Sequence, residues 1–185
     1  MKHFLLSVTT LALMTATTQA QETFSKGDNL VSGQIGIGSG LAVSATYENC
    51  VKSGLFATEK GSIGVGGYVG YLHYSDNYTT GGYYGDTYKA DWSYNNIILG
   101  VRGNLHYEFV DRLDSYAGLM LGYEIVNSSS SIKGGGESIS GNADASGFAF
   151  TLHLGTRYYF TDNFAAGIEV GYGVAYANVG IAYKF

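Results

Sequence analysis

From about residue 30 onward the apolar residues of this chain recur at every second position. That period fits strands and excludes amphipathic helices, whose apolar residues recur every three to four. Between residues 147 and 160, Phe148, Phe150, Leu152, Leu154, Tyr158 and Phe160 occupy one parity. Ala149, Thr151, His153, Gly155, Arg157 and Tyr159 occupy the other. The same split runs through Ile97, Leu99, Val101, Leu105, Tyr107 and Phe109, and through Ala117, Leu119, Leu121, Tyr123 and Ile125. Ile63–Tyr71, Ala166–Tyr172 and Val179–Phe185 repeat it, and two weaker runs begin at Val31 and Leu41, which makes eight candidate strands.

The non-apolar parity decides which face looks outward. A solvent face would carry many charges, yet charged residues are only 14% of the chain, against about 25% in soluble domains. This parity is instead rich in Gly and carries isolated charges: Arg102, Glu124, Arg157 and Glu169, one per strand. Such residues suit a narrow interior filled by side chains. The apolar parity ends in Tyr and Phe, as the girdles of membrane barrels do. The pattern therefore predicts an all-β fold, an eight-stranded antiparallel up-and-down transmembrane β-barrel. A secreted soluble barrel, with the apolar face as its core, is the other arrangement of the same strands. Eight spanning strands of roughly 9–11 residues each use about half of the chain, so a wide porin does not fit. Connections of unequal length are expected: inner turns at residues 49–60, 110–114 and 161–163, and outer loops at 38–40, 75–91 and 127–145 with a tight turn near Gly173. The Ser/Gly-rich residues 128–141 read as a mobile loop.

Other classes are excluded on composition. A net charge of -5 with no basic run argues against nucleic acid. One Cys cannot form an internal disulfide. Residues 1–20 read as a secretory signal peptide: Lys2, an apolar stretch from Phe4 to Met14, and small residues at Thr18 and Ala20. Residues 21–185 then form one barrel domain.

The carboxyl end, Val179 to Phe185 (VGIAYKF), and the stretches Gly61–Tyr68, Gly100–Tyr107 and Tyr116–Tyr123 resemble small outer-membrane β-barrel proteins common in Bacteroidota. These are similar in architecture to the OmpA transmembrane domain and to OmpX. The resemblance implies residence in the outer membrane of a diderm bacterium, as a monomer among outer-membrane lipid and lipopolysaccharide. It also implies that Ile181, Tyr183 and Phe185 form the signal read by the barrel assembly machinery. It implies no activity and no cofactor.

Four features carry candidate chemistry. Arg102, Glu124, His153, Arg157 and Glu169 share the inward parity near mid-height and are expected to pair in one network that closes the lumen, since an unpaired charge there is costly. A small-solute or ion path through the same residues is the alternative. His73 and Ser75 share a face where the third strand leaves the membrane. They loosely resemble the His-x-Ser-Asn element of lipid A 3-O-deacylases, although Asp76 intervenes before Asn77 and the nearest further acid is Asp86. Tyr78, Tyr83, Tyr84 and Tyr88 cluster in the expected outer loop and form a candidate surface-binding region for an extracellular ligand. His106 and His153 face the lumen without local metal-ligand spacing. The leading expectation is a structural or surface-interaction protein without catalysis; transport and a lipid-modifying esterase are the alternatives.

Overall fold

The computed structural model describes residues 23–37, 40–57, 60–81, 87–135 and 137–185. The expected signal peptide, Tyr83 and Tyr84 lie outside these. Eight strands follow one another: β1 (Asn29–Ile37), β2 (Leu41–Leu55), β3 (Gly61–Gly81), β4 (Thr87–Val110), β5 (Leu113–Gly134), β6 (Glu137–Tyr159), β7 (Phe164–Gly171) and β8 (Ala177–Lys184). Each pairs antiparallel with its neighbour, and β1 pairs with β8 from Leu30↔Lys184 to Ile37↔Ala177, closing the barrel. Asn29 and Phe185 exchange two backbone hydrogen bonds of 2.9 and 2.8 Å that finish this seam at the terminal end.

The outward parity forms an apolar belt. Leu99, Leu121, Phe150 and Ile181 are all more than half exposed, where a soluble domain would bury such residues. Aromatic residues bound the belt: Tyr47, Phe109, Tyr158, Phe164 and Tyr183 at the terminal end, Tyr71, Tyr123, Phe148 and Tyr172 at the other. From Ser115 to Ile125, β5 rises about 33 Å along its axis. A tilt of about 40° converts that into about 25 Å, the height of a membrane barrel's apolar band.

The strands reach two heights. β1, β7 and β8 have 9, 8 and 8 residues, whereas β3 to β6 have 21, 24, 22 and 23. β2 leaves β3 at Leu41↔His73 and β7 leaves β6 at Gly171↔His153. Beyond those points β3 to β6 continue as an open four-stranded sheet to Gly81↔Thr87 and Gly134↔Glu137. Over the described residues this corrects the expected outer loops at 75–91 and 127–145, and the mobile loop expected at 128–141. The described Ser, Thr, Asn and Tyr residues there pair as strands because backbone hydrogen bonds hold an antiparallel pair without an apolar face. The expected turn at 49–60 also shrinks. β2 runs on to Leu55 through two bulges, and the chain reverses where Gly54, Phe56 and Ala57 have φ of 75°, 59° and 54°.

Candidate functional site

The lumen is filled in three layers. At the terminal end, the segment before β1 folds into the mouth. Phe24 is buried with its ring 4.7 Å from that of His106, Thr23 N donates to Glu108 Oε2 at 3.0 Å, and Lys184 Nζ donates to Thr23 O at 3.0 Å.

The second layer is ionic. His106 lies between two carboxylates, with Nε2 2.7 Å from Glu48 Oε1 and Nδ1 2.8 Å from Asp114 Oδ1. Carboxylate oxygens only accept, so a ring facing one with each nitrogen satisfies both bonds as the imidazolium. Arg157 donates to Glu48 Oε2 at 3.4 Å and Asp114 Oδ2 at 3.3 Å, and its guanidinium sits 4.1 Å over the Tyr116 ring. Asn104 donates to Glu48 at 2.8 Å and lies 2.7 Å from His153 Nε2. Above them Arg102 and Tyr116 both donate to Glu169 Oε2 at 2.8 Å. The charges of Glu48, Asp114 and Glu169 are then matched by Arg102, Arg157 and the imidazolium. Two glycines make the room: a Cβ at Gly64 would stand 2.0 Å from Glu48 Oε1, and one at Gly118 would stand 2.0 Å from Asn104 Oδ1.

The third layer is apolar: Ala42, Tyr68, Ile98, Met120 and Val174 pack together across the barrel. Between it and the ionic layer remains a cavity of about 10 Å³ beside Arg102, His153 and Glu169, room for about one water.

The structure therefore brings Arg102, His153, Arg157 and Glu169 into the lumen, buried. Glu124 does not join them. It is half-buried and accepts a 2.5 Å hydrogen bond from Asn96 Nδ2, one level further out. The expected single network is thus corrected: Glu124 stands outside it, and Arg102 pairs with Glu169 because β4 meets β7 across the lumen. The residues are not all at mid-height either: Arg157 sits low, with Asp114. Glu48 and Asp114 were missed. Asp114 falls in the expected turn at 110–114, and Glu48 has no partner near it in sequence, although it occupies the inward parity of β2. Among the described residues no His, Cys, Asp and Glu cluster is arranged to hold a metal.

Above the belt the two faces exchange character. No bulge interrupts β3 to β6 there, so inward parity continues over the barrel mouth. On that face Tyr74, Tyr94, Ser128 and Ala143 form one cross-strand row, Asp76, Trp92, Ser130 and Gly141 the next, and Tyr78, Ala90, Ile132 and Ile139 the third. The opposite face carries Ser75, Ser93, Ser129 and Asn142, then Asn77, Asp91, Ser131 and Ser140. Tyr78 and Tyr88 thus lie on strands, with Tyr78 exposed and the Tyr88 ring over Gly134. A groove of about 600 Å³ runs between Tyr74, Trp92 and Tyr94 over a floor of Ser128, Ser130 and Gly141.

His73 and Ser75 share the outer face, as expected. His73 Nδ1 lies 2.8 Å from Asn95 Oδ1, however, and Asp76 sits on the opposite face, accepting from Tyr74 OH at 3.0 Å. The acid following Ser75 is across the sheet from the His it would orient.

No protein-family model matches the chain, and no curated protein sequence matches it. Solved structures similar to it include Ail, the attachment invasion locus protein of Yersinia pestis, with a TM-score of 0.44 and 13% identity over 86% of this chain and 99% of that one. The N-terminal β-barrel domain of Pseudomonas aeruginosa OprF gives 0.39 and 15% over 86% and 98%. Neisserial surface protein A gives 0.39 and 13% over 85% and 93%. The barrel assignment rests on the strand register of the chain itself.

Proposed function

We propose that this chain is an integral outer-membrane barrel, exported by residues 1–20, that acts as a structural and surface-interaction protein without catalysis. The observation that carries this reading is the apolar belt between two aromatic girdles around a filled lumen. Water outside such a belt would leave it unburied, and lipid is the solvent that suits it. The short-turn, terminal end then faces the periplasm and the four-stranded sheet stands outside the cell. The resemblance to Bacteroidota barrels supports the same placement. Ile181, Tyr183 and Phe185 face outward at the seam, where the barrel assembly machinery would read them. The lumen layers oppose the transport alternative, and the separation of Asp76 from His73 opposes the esterase alternative.

Planar-bilayer recording tests the reading. The refolded protein is expected to insert and to show no steady conductance. Recovery as a soluble periplasmic protein, or a stable open channel, would overturn it.

A further inference from the structure

We propose that the groove on the inward face of the outer sheet binds a neutral oligosaccharide from outside the cell. The inference rests on the surface-interaction reading and names the ligand class. Three aromatic side chains, Tyr74, Trp92 and Tyr94, stand over a floor of Ser128, Ser130 and Gly141. A pyranose ring has two apolar C–H faces and a hydroxylated rim. Flat aromatic rings cover the faces with rigid area at small entropic cost. The rim would meet hydroxyls whose protons are already committed: Ser128 Oγ donates to Ala143 O at 3.0 Å, which leaves its lone pairs to accept. Tyr74 OH is fixed on Asp76 at 3.0 Å, so the ring is held in place before any ligand arrives. The groove's volume of about 600 Å³ falls within the range of about 300–1,000 Å³ for ligand sites.

Charge narrows the class. Among the described residues the inward face carries Asp76 and Glu137 and no Lys or Arg, since Lys89 and Lys133 project to the other face. Sulfated or phosphorylated glycans and nucleic acids are disfavoured on such a face. Direction narrows the source. The inward face looks over the barrel mouth, whereas the saccharides of neighbouring lipopolysaccharide surround the outer face.

Trp92 is the only tryptophan of the chain, so its fluorescence reports the groove directly. The full barrel is refolded in a sugar-free amine-oxide detergent and titrated with maltohexaose, cellohexaose, laminarihexaose and chitohexaose. A heparin hexasaccharide and purified lipopolysaccharide form two further arms. At least one neutral hexasaccharide is expected to change Trp92 emission saturably. By calorimetry Tyr74→Ala and Trp92→Ala should each weaken that sugar about ten-fold, while Lys89→Ala leaves it unchanged. Heat-modifiable mobility of each variant checks that the barrel is folded. Preference for heparin or lipopolysaccharide, saturation that survives both aromatic variants, or no saturable change with any neutral sugar would overturn the inference. Membrane insertion and closed-lumen recordings are separate measurements, so failure here is distinguishable from failure of the barrel reading.

Discussion

Arg102 and Glu169 illustrate what a single residue's position costs and gains. Both are buried and each is the other's counter-charge at 2.8 Å, so removing one strands the other in a poorly hydrated lumen, at a cost of about 3–5 kcal/mol. Arg102→Gln and Glu169→Gln are therefore expected to couple strongly in a double-mutant cycle, read by urea unfolding in lipid. Arg102→Gln and Glu124→Gln should add within about 0.5 kcal/mol, because they share no partner. Additivity at Arg102/Glu169 would refute the pairing. The inward parity of these residues was legible in the sequence because the period of two is local. Their partners were not, because the register between strands on opposite walls is set by closure of the whole ring. A second residue pair lies outside the belt. Tyr74 donates its hydroxyl to Asp76, which holds the phenol above the ordinary tyrosine range. The carboxylate both accepts the proton's bond and repels the phenolate. Asp76→Asn removes the charge, so a Tyr74 Cζ NMR titration should move back toward the usual value, and an unmoved titration would refute the contact.

At the scale of elements, the eight strands, their order and their inward faces could be read from alternation, and the upper halves of β3 to β6 could not. Residues 75–91 and 127–145 carry Ser, Asn and Gly where the belt carries Leu and Val, and hydrophobic period is the main signal for a strand. Beyond the belt that signal disappears while the pairing persists, as the unbroken register from Asn127↔Asp144 to Gly134↔Glu137 shows. Amide exchange should separate a paired sheet from two loops. Above the belt, β4 and β5 have partners on both sides, whereas β3 and β6 each present an open edge. Ser129, Ser131 and Asp91 amides are therefore expected to exchange more slowly than those of Asn77 and Asn142. Uniformly fast exchange across all five would restore the loops. Within the belt, Leu152→Arg places a cation on the exposed face of β6 and should cost about 2–4 kcal/mol near the bilayer midplane. The size of that loss, in urea unfolding from lipid, measures how deep Leu152 sits.

For the molecule as a whole, the lumen layers act in series. An ion crossing the barrel would have to displace Phe24 from His106, separate Arg157 and Arg102 from their carboxylates, and pass the Ala42–Tyr68–Ile98–Met120 packing. Resistances in series add, so current is governed by whichever barrier remains highest. Breaching one layer should leave the others closed. Phe24→Ala opens only the mouth, and Arg102→Ala widens a cavity of about 10 Å³ that still ends against Tyr68 and Met120. Neither is expected to conduct steadily in planar bilayers. The combination Phe24→Ala, Arg102→Ala and Met120→Ala removes a member of every layer and should give measurable openings, provided heat-modifiable mobility shows the barrel folded. Met120→Ala alone supplies the control for the apolar layer. Steady current from any single variant would mean that its layer is the only gate and that the other two are permeable as they stand. Silence from a folded triple variant would place the barrier in the backbone of a ring too narrow to pass ions, with the side chains as filling rather than as the seal.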